Sequence, residues 1–111
     1  MKIDNYSFGK VVIDEKTYTK DVIVFQDSVK ENWHRKEGHL ATAEDLKDVW
    51  AKKPDKLIIG TGAFGVIMVD KSAREKAKEL GIELIIDKTA KACFKFNKEK
   101  GNVVLAIHLT C

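Results

Sequence analysis

At 111 residues with a net charge of +3, the chain has the size of one domain and a field too weak to draw in a polyanion, which argues against nucleic acid as a partner. The hydrophobic share of 44% is ordinary for a globular protein, and the charged share of 33% is mostly interleaved Lys and Glu, as on a well-solvated surface. Cys93 and Cys111 are too few for a disulfide framework, no apolar run approaches the roughly 20 residues of a membrane helix, and Met1–Asn5 holds no signal core, so a cytoplasmic domain without membrane contact is expected.

The first third reads as β structure. A short apolar strand is expected from Phe8 to Ile13, a polar turn at Asp14–Lys16, and a longer strand from Thr17 to Phe25. Gln26–Ser28 supplies the next turn, and Val29 to Arg35 reads as a further strand with Val29, Glu31, Trp33 and Arg35 on one face.

From there helix and strand alternate. Thr42 followed by Asp45 resembles a capping box opening a helix through Lys53, which Pro54 then stops. Leu57–Ile59 is a buried strand running into glycines. Ser72 with Glu75 resembles a second capping box, and Gly81 suits the left-handed end of that helix. Ile82 to Ile86 is a strand, and Asp87 or Thr89 caps a third helix with Ala90, Cys93, Phe94 and Asn97 at helical spacing on its apolar face. Val103 to Leu109 is the last strand. Strands without interleaved charge imply a sheet covered on both sides. The fold class is therefore α/β: a three-layer sandwich with a central mixed β-sheet and an N-terminal β extension, forming a single domain over residues 1–111.

Gly60-Thr61-Gly62-Ala63-Phe64-Gly65 follows a strand and matches the G-x-G-x-x-G dinucleotide pattern, with Asp87 at the end of the following strand. The pattern works only when a helix starts within the glycines and aims its N-terminus at the pyrophosphate. Here Val66-Ile67-Met68-Val69 continues instead, and a helix cap comes only at Ser72. No cofactor is expected. The glycines read first as a tight turn with close backbone approach, and second as a small anion nest made by the Thr61 and Gly62 amides.

His108 and Cys111 stand three residues apart, on opposite faces if the last strand continues, and no C-x-x-C pair exists, so neither a metal site nor a Cys–His nucleophile is expected. Cys111, as the last residue given, is expected to fray. Cys93 reads as inert core, His108 as a hydrogen-bonded core histidine, and Trp33 as a packed aromatic beside Arg35.

Three segments together carry a resemblance: Asn32-Trp33-His34-Arg35-Lys36-Glu37-Gly38-His39, Leu57-Ile58-Ile59-Gly60-Thr61-Gly62, and Ala106-Ile107-His108-Leu109-Thr110-Cys111. In order and over nearly the whole chain, they resemble the Mth-nine-three-eight-like (Mth938-like) domain family. That family includes conserved hypothetical proteins of bacteria and archaea, an adipogenesis-associated vertebrate protein and a mitochondrial complex I assembly factor. The resemblance implies a three-layer α/β fold with a central mixed sheet and implies no reaction.

Two functional expectations follow. The first is a non-catalytic interaction or assembly-type domain with a protein partner, because no acid, base and nucleophile form a coherent set. The second is a protein that binds a small anionic ligand, potentially an enzyme, with a pocket at the Gly60–Gly65 turn. Arg35 would supply a fixed charge there, Thr61 and Gly62 backbone donors, and His39 or His108 a titrating group, with Gly60 and Gly65 shaping the turn.

Overall fold

The computed structural model describes residues 1–111. At its centre β7 (Lys56–Gly60) and β10 (Val103–Ile107) run parallel, from Val103 opposite Lys56 to Ile107 opposite Gly60. β9 (Glu83–Asp87) lies parallel to β7 on its other side. β4 (Val22–Val24) pairs antiparallel with β10 and carries β5 (Val29–Lys30) at the sheet edge. The order β5-β4-β10-β7-β9 is a mixed sheet. All five residues of β10 are buried. A strand covered on both faces loses its alternation and reads as an unbroken apolar run, which is why β7 and β10 are legible in sequence.

Alternate residues of these strands feed two cores. Ile23, Leu57, Ile59, Val104 and Ala106 face α1 (Lys47–Lys52) and α2 (Lys71–Glu79), packing with Val49, Trp50, Ala73 and Ala77. Val22, Val24, Ile58, Leu105 and Ile107 face α3 (Thr89–Lys98), joining Ala92, Cys93 and Phe96. The second core is completed by an antiparallel meander of β1 (Ile3–Ser7), β2 (Lys10–Ile13) and β3 (Lys16–Tyr18). Asn97 ties this meander to α3, its Oδ1 accepting from the Ile3 amide at 2.9 Å and its Nδ2 donating to the Ile3 carbonyl at 2.7 Å. The result is the expected α/β sandwich with its N-terminal β extension.

Several elements differ from the sequence reading. The expected strand from Thr17 to Phe25 divides into β3 and β4, which belong to different sheets. The expected strand from Val29 to Arg35 stops at Lys30, because Asn32 turns to φ 53°, a left-handed conformation that Asn tolerates. β1 was not expected, nor was the short parallel pair of β6 (Leu40–Ala41) with β8 (Met68–Val69).

The Thr42–Asp45 box forms, with Asp45 Oδ2 accepting from the Thr42 amide and hydroxyl at 3.0 Å each. It opens a 3-10 turn, Glu44–Leu46, before α1. Lys53, next to Pro54, is left-handed at φ 46° and ends α1. α2 is capped by Asp70 instead of Ser72: Asp70 Oδ2 accepts from the Ser72 amide at 3.0 Å. α3 turns Thr89, Ala92, Cys93 and Phe96 inward and leaves Phe94 61% exposed, one residue out of register with the expected stripe. No helix is long and apolar enough to cross a membrane.

Candidate functional site

β7, β9 and β10 end at one edge of the sheet, with Gly60 opposite both Ile107 and Asp87. Ligands of open α/β sheets gather at such carboxyl ends. β4 runs antiparallel to β10, so the start of β4 lies at the same edge. Ile107 faces Val22 in their antiparallel ladder, so the residues one step beyond, His108 and Asp21, are brought side by side.

The glycine loop lies at this edge, and its amides are occupied by its own chain. Thr61 donates to the Asp87 carbonyl at 2.9 Å, and Gly62 donates to Thr89 Oγ1 at 2.9 Å. Ala63 donates to the Thr110 carbonyl at 2.6 Å, while Phe64 and Val66 both reach the Cys111 backbone oxygen, at 3.0 and 3.3 Å. Thr89 completes the knot by donating its hydroxyl to the His108 carbonyl at 2.7 Å.

Two glycines are required sterically. A Cβ on Gly60 would sit 2.7 Å from Ile107 Cγ2, and one on Gly62, at φ 107°, would sit 2.3 Å from the Cys111 carbonyl carbon. The loop clamps the segment Leu109–Cys111. The anion nest expected from Thr61 and Gly62 therefore has no free donors, and α2 begins only at Lys71, too late to face a phosphate held by the glycines.

The polar centre lies on the other side of His108. Asp21 Oδ2 accepts from His108 Nδ1 at 2.7 Å and from Arg35 Nη2 at 2.8 Å, and Oδ1 accepts from the Leu109 amide at 2.8 Å. An ionised carboxylate only accepts, so this contact places the imidazole proton on Nδ1. Burial raises the Asp21 carboxyl, but the bonds from His108, the Leu109 amide and Arg35 more than reverse this and hold it below the ordinary carboxylate range.

Arg35 is fixed further by Nε donating to the Gly38 carbonyl at 2.9 Å and by the Trp33 ring, 4.7 Å from Cζ. Trp33 is itself anchored through its indole N–H to the Asp45 carbonyl at 2.9 Å. The Arg35 side chain is only 5% exposed, and its Nη1 is buried without a hydrogen-bond partner. A cleft of about 330 Å³ opens over this network, with Lys20, Asn32, His34 and Thr110 around Asp21, Arg35 and His108.

Of the expected site residues, Arg35 and His108 meet at 3.2 Å, and the His39 ring lies edge-on to His108 with centroids 6.3 Å apart. Gly60, Thr61, Gly62 and Gly65 do not line the cleft. His108 is buried and hydrogen-bonded as read from the sequence. Asp21, Thr110 and Thr89 were missed. Asp21 stands just ahead of Val22-Ile23-Val24, but only the strand register reveals that it meets His108.

The strand argument that separated His108 from Cys111 also fails. β10 stops at Ile107, and the clamped backbone beyond it brings donor atoms of His39, His108 and Cys111 within 4.8 Å of one another. Cys111 is pinned by two amides, so the expected fraying is not seen. Cys93 is inert core as expected, its thiol pushed up to about 12 by burial.

A family model described as a protein of unknown function (DUF498/DUF598) matches residues 3–108. The chain belongs to this family. Solved structures place the DUF498 fold in the same company. A conserved hypothetical protein from Pyrococcus horikoshii is 23% identical with a TM-score of 0.86, covering 100% of both chains. A protein named MT938 is 26% identical with a TM-score of 0.82, over 99% of this chain and 98% of that one. A Mth938-like domain from Bordetella pertussis is 16% identical with a TM-score of 0.76, over 97% and 85%. The resemblance to the Mth938-like family is thereby shown. No curated protein matches the sequence.

Proposed function

We propose that this DUF498 domain binds a small anionic molecule in the cleft above Asp21, Arg35 and His108. The observation that carries the reading is Arg35 Nη1, a buried guanidinium donor left without an acceptor. Buried polar groups are nearly always satisfied, and leaving one unpaired is costly. The Trp33 ring supplies no lone pair. A carboxylate or phosphate oxygen entering from the cleft, which Arg35 helps to line, would supply one once a small shift of the rim uncovers Nη1, and guanidinium is the side chain best suited to hold either.

The cleft is near the small end of ligand sites and is lined mainly by polar and charged residues, which favours a compact, charged molecule over an apolar one. Lys20 and His34 add cationic or donating groups at its rim. This reading moves the pocket away from the Gly60–Gly65 turn, and a cytoplasmic location, in which the two unpaired cysteines would stay reduced, is part of the same proposal. A thermal-shift screen against inorganic phosphate, phosphorylated metabolites and small dicarboxylates tests it. A ligand at a hundred times its Kd stabilises the wild type by about 2.7 kcal/mol, and Arg35→Met and Lys20→Ala both reduce the shift. A flat screen, or shifts unchanged in both variants, contradicts the reading.

A second reading, a non-catalytic interaction or assembly-type domain, is favoured by a separate observation. Phe8, Phe64 and Met68 are 60%, 71% and 68% exposed, and the Phe8 and Phe64 rings stand 6.2 Å apart. Adjacent exposed aromatic rings such as Phe8 and Phe64 are typical of contact surfaces. On this reading Phe64→Glu leaves thermal stability unchanged and abolishes capture of a stoichiometric partner from native lysate. Equal capture by wild type and variant, or none by either, counts against it.

A further inference from the structure

We propose that His39, His108 and Cys111 form a binding site for a zinc-class divalent cation, which shares His108 with the anion cleft but rests on separate observations. One donor atom from each residue lies within 4.8 Å of those of the other two. Around a tetrahedral zinc ion, bonds of about 2.0–2.3 Å set donors roughly 3.3–3.8 Å apart. The set therefore needs to close by about 1 Å, and His39, which is exposed, can supply this by side-chain rotation. Imidazole and thiolate are the donors that borderline-soft transition ions take in preference to hard cations.

The surroundings are those of a built site. Asp21 holds His108 Nδ1 at 2.7 Å, which leaves Nε2 as the atom able to bind an ion once the Thr110 hydroxyl, 3.2 Å from it, turns away. A metal-ligating histidine characteristically donates its other N–H to a carboxylate in this way, fixing tautomer and ring orientation. The Arg35 charge beside His108 is already matched by Asp21. Each donor also comes from backbone fixed in place. The Cys111 backbone oxygen accepts from Phe64 and Val66, and the His39 carbonyl accepts from the Met68 amide at 2.9 Å, beside the β6–β8 pair.

Seen this way, the glycine loop delivers Cys111 to the histidines. The exposed position of His39 keeps one side of the ion open to solvent. Three protein donors with an open position is the arrangement of zinc sites that hold a water or a ligand.

The full-length protein, prepared reduced and metal-free, is titrated with zinc and, in parallel, with cobalt(II). The expected result is one equivalent bound and a near-ultraviolet thiolate-to-cobalt charge-transfer band. Zinc should also protect Cys111 from alkylation, with buried Cys93 unlabelled throughout as the internal control. Cys111→Ser removes the band, and Cys111→Ser and His39→Gln each weaken zinc binding at least ten-fold while their circular dichroism stays that of the wild type. Asp21→Asn, acting through His108, weakens binding roughly 10- to 100-fold and leaves the cobalt band in place at saturation. Zinc binding without the thiolate band, or unchanged affinity in Cys111→Ser and His39→Gln, overturns the proposal, as does no binding at micromolar zinc. His39 and Cys111 do not line the anion cleft, so failure here and failure of the anion reading are separable.

Discussion

Asp21 is the residue on which the site is hung. Its two oxygens accept three hydrogen bonds, from Arg35, His108 and the Leu109 amide, and its side chain is only 16% exposed. Removing one member of a buried ion pair costs more than the pair contributes, because the charge left behind is unmatched. Asp21→Asn therefore lowers stability by about 3 kcal/mol. Arg35→Met costs less, about 2 kcal/mol, because Asp21 keeps its other two donors. The double variant loses less than the sum, as residues within one network do. Urea denaturation of the three variants checks this, and strict additivity would show that Asp21 and Arg35 do not act as a unit.

At the scale of elements, the glycine loop carries the main lesson. Its pattern is that of a nucleotide cradle, yet every amide from Thr61 to Ile67 donates to the protein's own chain. Gly62→Ala forces a side chain into φ 107° and against Cys111. The backbone term alone costs about 1–3 kcal/mol, and the displaced segment unprotects the Phe64 and Val66 amides to hydrogen exchange. Wild-type stability and protection in that variant would show that the loop is no clamp. The absence of a helix after Gly65 was legible from the β-branched run Val66–Val69. The occupant of the loop was not, because no local signal ties residues 62–66 to residues 110–111. The misplaced stripe on α3 has a similar cause: Thr89 is turned inward by a hydrogen bond to His108, nineteen residues away, which helical periodicity cannot express.

Over the whole molecule, the sequence reads well wherever burial alone decides. β7 and β10 are unbroken apolar runs, and the layers follow from the alternation of strands and helices after Thr42. It reads poorly where pairing decides. The segment Thr17–Phe25 serves two sheets, and Asp21, at the break between them, meets His108 only because β4 runs antiparallel to β10. On the proposed reading the carboxyl edge of the sheet has two separate uses: the glycine loop holds Leu109–Cys111 in place, and the cleft over Asp21, Arg35 and His108 would receive an anion. An amide-resolved NMR titration of the wild type, first with inorganic phosphate and then with a nicotinamide dinucleotide, tests this division directly. Saturable shifts confined to residues 19–21, 32–38 and 108–110 with phosphate, and still amides from Thr61 to Gly65 with the dinucleotide, are the result predicted. Saturable dinucleotide shifts centred on Thr61 to Gly65 would contradict it.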